Sequence, residues 1–96
     1  MSDRRPSYLI DEATHAAFLT VGFRPLVDFK PPVQMRKVPD FAEVKRRYRA
    51  RQRDYHPDRF HTQPESVRKQ AEEMARALNL AYDLLEQKYV EWGALP

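Results

Sequence analysis

The sequence predicts an all-α fold, an antiparallel helical hairpin preceded by a short first helix and a proline-rich insertion. Three observations lead there. Two long segments carry apolar residues at spacings of three and four, the helical period. Pro57 lies between them and disfavours helical geometry at the residue before it, ending the first segment. The 96 residues include only two glycines, with 42% apolar and 32% charged side chains, a mixture of soluble helical domains rather than of barrels or disordered tails. A chain of this length makes one domain with one modest core, burying about 60–65% of the surface its unfolded form exposes.

Residues 1–10 show little pattern and are expected to be flexible. From Asp11, a candidate N-cap, DEATHAAFLTV offers good helix formers, with Ala13, Ala17, Phe18 and Val21 near helical spacing. Gly22 stands where a glycine ends a helix, so a first helix is expected over about 11–21. Residues 23–39 hold four prolines and cannot form a continuous helix. Yet Phe23, Leu26, Val27, Phe29, Val33, Met35 and Val38 are too apolar for a free linker. An ordered loop lying on the helices is expected, either covering core surface or offering a groove to a partner.

The second helix is expected over about 40–55, because Asp40 precedes Glu43 by the spacing of a capping box. Phe41, Val44, Tyr48 and Tyr55 form its buried stripe. Arg51 falls in that stripe; its stem is expected along the seam, with the guanidinium in water or on an acid of the third helix. A turn over 56–61 leads to a third helix over about 63–92, with Pro64 tolerated in the first turn. Val67, Ala71, Met74, Leu78, Tyr82, Leu85, Tyr89 and Trp92 make its heptad-like seam. Two matched stripes joined by a short segment are buried by folding back on each other.

The net charge of +3 is unevenly spread: residues 41–64 carry seven basic and three acidic side chains, residues 65–96 four basic and six acidic. Lys45, Arg46, Arg49 and Arg53 gather on the helix face opposite the buried stripe and lead to His56, Pro57, Asp58 and Arg59. Such a strip attracts an acidic partner, either nucleic acid or an acidic protein face. Several function classes find no support. The absence of cysteine removes disulfides, thiolate zinc sites and cysteine nucleophiles. His15, His56 and His61 lack a tight ligand pattern, so neither a metal nor a cofactor is expected, and His15 is read as a surface residue. Paired carboxylates, a Ser-His-Asp set and a glycine-rich phosphate loop are missing, and the chain is not expected to be an enzyme. No signal-peptide pattern opens the chain and no apolar run approaches ~20 residues, so a cytoplasmic, soluble, monomeric protein is expected.

Tyr55-His56-Pro57-Asp58-Arg59-Phe60 lies at the tip of the expected hairpin, preceded by Val44-Lys45-Arg46-Arg47-Tyr48-Arg49 and followed by Leu78-Asn79-Leu80-Ala81-Tyr82-Asp83-Leu84-Leu85. In these residues the sequence resembles the J-domain family, whose signature is His-Pro-Asp between two antiparallel helices. The resemblance is close over about residues 40–86 and looser from Phe18 to Phe23. The stretch from Arg51 to Phe60, and the long spacing from Asp58 to Leu78, are similar to the J-proteins of iron–sulfur cluster assembly. The C-terminal scaffold-binding domain of that branch has no counterpart in this sequence. The resemblance implies a co-chaperone that docks on a chaperone ATPase of the seventy-kilodalton heat-shock class and stimulates its ATP hydrolysis. It casts Asp58 as the trigger, His56 and Pro57 as its geometric support, and Lys45, Arg49 and Arg53 as docking charges, with Arg46 and Arg59 beside them. Two alternatives stay open: a basic nucleic-acid-binding module, and a J-like scaffold that recruits a protein through the 23–39 arm.

Overall fold

A computed structural model describes residues 7–95. The flexibility expected of residues 1–6 lies outside the described residues, but that expected of 7–10 is corrected. Tyr8–Ile10 forms a strand, β1, that pairs antiparallel with β2 (Val33–Met35), Tyr8 opposite Met35 and Ile10 opposite Val33. The all-α expectation thus gains a small two-stranded sheet. Side chains alternate across a strand; Ile10 is buried and Tyr8 half-buried, while Leu9 between them is 49% exposed. The sheet clamps one end of the insertion to the start of the chain.

Helix α1 spans Glu12–Val21. The Thr14 amide donates to Asp11 Oδ1 at 2.7 Å, and hydrogen bonding from Thr14 holds the Asp11 carboxyl below its ordinary range. At the other end Gly22 takes a left-handed φ of 114°, its amide donating to Leu19 and the Phe23 amide to Phe18. This is the paired-bond arrangement that closes many helices, and the accompanying apolar contact is present as Phe23 set edge-on to Phe18. The buried face is Thr14, Ala17, Phe18 and Val21. Ala13, expected inside, is exposed: it lies five residues before Phe18 and so off that face, whereas Thr14 lies three before Ala17 and four before Phe18.

Helices α2 (Phe41–Asp54) and α3 (Glu65–Glu91) are joined by a single 3-10 turn at Pro57–Arg59. Ring pairs fix their relative direction. Phe41 meets Tyr89 at 5.1 Å and Tyr48 stacks on Tyr82 at 4.1 Å, so moving from 41 to 48 along α2 moves from 89 back to 82 along α3. The hairpin is therefore antiparallel, and the Tyr48 hydroxyl donates across it to Asn79 Oδ1 at 2.8 Å. The core gathers at the end away from the turn, where Ile10, Phe18, Val21, Phe41, Val44, Leu78, Leu85 and Tyr89 are buried together and α1 packs chiefly along α3.

Two expectations about these helices are corrected. Neither half of the capping box forms: the Glu43 amide donates to the Asp40 carbonyl and not to its carboxylate, and the Glu43 side chain turns to Arg46 and Arg47. Met74 is 45% exposed, and the seam passes through half-buried Ala75 between Ala71 and Leu78. With alanines facing Tyr55 and Phe60, the tip of the hairpin holds an open cleft of about 490 Å³. Val27, expected against the helices, is 89% exposed. Among the described residues, no helix is long and apolar enough to cross a membrane.

Candidate partner-docking site

Local chemistry builds the turn. Pro57 biases His56 toward extended backbone, observed at φ −62° and ψ 136°, which ends α2 and frees the His56 side chain to cap the next turn. The Asp58 amide donates to His56 Nδ1 at 3.2 Å, the Arg59 amide donates to the His56 carbonyl at 3.0 Å, and the Phe60 amide donates to the Pro57 carbonyl at 3.0 Å. His61 Nδ1 lies 3.2 Å from the Asp58 carbonyl oxygen. Half-buried Phe60 lines the tip cleft beside Tyr55 and anchors the turn to the hairpin.

The result is an outward-held carboxylate. The Asp58 side chain is 92% exposed and that of His56 57% exposed. A ring nitrogen that accepts an amide proton belongs to a neutral imidazole. Asp58 Oδ2, at 3.6 Å from the same Nδ1, forms an ion pair with it only when His56 is protonated. In the neutral form the carboxylate is open to a partner.

The basic residues of α2 divide into two sets. Lys45, Arg49 and Arg53 are exposed at four-residue intervals, and Arg59 is exposed within the turn; none of the four makes an ion pair among the described residues. Lys45 Nζ also sits 5.7 Å from the centre of the Phe41 ring. Arg46 is exposed but pairs with Glu43, whose carboxyl is held below its ordinary range by Arg46 and then by Arg47. Its charge is partly satisfied within the chain.

Arg47 and Arg51 face elsewhere. Arg47 donates to the Gly22 carbonyl at 2.9 Å and its guanidinium sits 4.5 Å from the centre of the Phe23 ring. The Arg51 guanidinium lies so close to Gly22 that a Cβ there would stand 3.2 Å from Nε. Of the two partners expected for its guanidinium, water or an acid of α3, Arg51 pairs with no acid among the described residues, and it reaches the end of α1. That end has no basic residue of its own, and carbonyls at a helix C-terminus attract cations. His15 is also corrected: it is half-buried, stacks on Phe29 at 3.9 Å, and its Nε2 accepts the Leu26 amide at 3.1 Å.

No family model, curated protein or solved structure matches the chain.

Proposed function

We propose that this chain is a co-chaperone of the J-domain type, docking on a chaperone ATPase of the seventy-kilodalton heat-shock class and stimulating its ATP hydrolysis through His56, Pro57 and Asp58. The observation that carries the reading is the Asp58 carboxylate, 92% exposed at the tip of an antiparallel hairpin on a turn closed by His56. Lys45, Arg49 and Arg53 supply an adjoining cationic face for an acidic partner surface. Exposed ion pairs contribute about 0.2–1 kcal/mol each, so several make a transient, salt-sensitive complex suited to repeated turnover. Stimulation requires tighter binding to one conformation of the ATPase than to another, because equal affinity for both shifts nothing. A free carboxylate at the end of the cationic strip disfavours the nucleic-acid alternative, since it would face a phosphate backbone.

The reading is tested by titrating the isolated ATPase domain of such a chaperone with this chain at low and physiological salt. Binding weakens with added salt and with Arg49→Glu, and bound chain accelerates hydrolysis. Binding that ignores both, or binding with no change in hydrolysis, contradicts the reading.

A further inference from the structure

The 23–39 arm is long for a connection with only three residues in a strand, and such segments inside compact domains are usually functional or disordered. Disorder does not describe it, because the chain holds it at three separate places. β2 pairs with β1; the Leu26 amide and the Phe29 ring are engaged by His15; and the Pro39 carbonyl accepts the Tyr89 hydroxyl at 2.5 Å.

Between this arm, α1 and α2 lies a pocket of about 530 Å³, within the size range of binding sites. Its apolar lining is Ile10, Phe18, Phe23, Leu26, Met35 and Val38. Arg24, Lys37 and Arg47 also line it, as does His15, whose Nε2 is already engaged by the Leu26 amide. Arg47 is committed to Glu43 and the Gly22 carbonyl, but Arg24 and Lys37 are exposed and make no ion pair among the described residues. An apolar hollow edged by two unpaired cations is complementary to a ligand that is apolar at its centre and anionic at its margins.

We propose that this pocket is a second docking site, taking one large apolar side chain from an acidic peptide segment of another protein. The apolar lining offers phosphate nothing, and a nucleic acid meets more cations on the outer face of α2 than here, so the charge pattern favours a peptide. The arm's anchors preform the pocket, which lowers the ordering cost of binding. The site does not depend on the co-chaperone reading, because none of its lining residues belongs to the turn or to the exposed cationic set.

The test is fluorescence anisotropy with the whole chain and a fluorescein-labelled hexapeptide of two aspartates, leucine, phenylalanine and two aspartates. Saturable binding is expected. Lys37→Glu or Arg24→Glu weakens it by about tenfold or more, with the helical circular dichroism unchanged. Lys69→Glu, the same charge reversal on a remote part of α3, leaves the affinity as it was. Replacing the leucine and phenylalanine of the peptide by serine abolishes binding. Absence of saturable binding up to about 1 mM peptide overturns the proposal. Equal weakening by Lys69→Glu, or a pocket that takes dodecanoate or an oligothymidylate while leaving the peptide unbound, overturns it too.

Discussion

His56 Nδ1 accepts the amide of Asp58 at 3.2 Å, so the residue that ends α2 is also the one that shapes the backbone presenting the carboxylate. Asparagine carries its side-chain oxygen the same number of bonds from the backbone as this nitrogen, whereas glutamine is one methylene longer. His56→Asn therefore retains most of the stimulation of a chaperone ATPase. His56→Gln loses about 1 kcal/mol of capping, lowering the formed turn and the stimulation about fivefold. Steady-state ATP hydrolysis across the two variants checks this.

Gly22→Ala is expected to destabilise the fold by about 1–3 kcal/mol, since φ of 114° is strained for any residue with a Cβ. The added methyl also approaches Arg51. Combining Gly22→Ala with Arg51→Ala relieves the approach but not the backbone strain, so the double variant stays less stable than the parent. Urea unfolding midpoints measure both effects.

Tyr89 joins α3 to the start of α2 across fifty residues of chain, through its bond to the Pro39 carbonyl. Tyr89→Phe leaves that carbonyl without its partner, at a cost of about 1–3 kcal/mol and a fall in melting temperature of at least about 4 °C. The tyrosine also introduces an alkaline dependence. Burial, and then the Asp40 carboxylate, push its phenol well above the ordinary value of 10.0. Above that ordinary value the unfolded chain releases the proton and the folded chain keeps it. The contribution is thus full below pH of about 10 and declines as pH rises. Thermal melts from pH 8 upward show a shallower alkaline fall for Tyr89→Phe than for the parent.

Asp11 acts at the acid end. Its depressed carboxyl contributes stability above its ordinary value of 3.8, and that contribution is lost as pH falls below it. Asp11→Ala costs about 1 kcal/mol at neutral pH. The difference from the parent shrinks toward pH 2, as acid titrations followed by circular dichroism reveal.

How much of this was legible in the sequence depended on whether the signal was local and periodic. The α2 and α3 stripes repeat over many turns, and Pro57 marks the break between them, so the hairpin and its tip could be read directly. Three-residue strands have no such repetition: the pairing of Tyr8 with Met35 is a tertiary fact, visible only in the alternation of Tyr8, Leu9 and Ile10. The candidate turn was readable because its residues are consecutive. The division of the arginines was not, since it depends on where Gly22 and Phe23 come to rest against α2. His15 was misread for the same reason, its hydrogen-bonding partner lying eleven residues away in a segment without regular structure. Asp40 and Glu43 had capping-box spacing, but Glu43 had two arginines within reach and its side chain forms charge-assisted bonds with them, while its amide donates to the Asp40 carbonyl.

The central claim is that the Asp58 carboxylate triggers the partner's ATPase while the cationic face docks it. Single-turnover hydrolysis by a seventy-kilodalton-class chaperone, measured with saturating parent chain and with Asp58→Asn, tests it most directly because the substitution keeps size while removing the charge and turning one acceptor oxygen into a donor. The account predicts acceleration by the parent and a return to the basal rate with Asp58→Asn. Equal acceleration by both, or none by the parent, contradicts it.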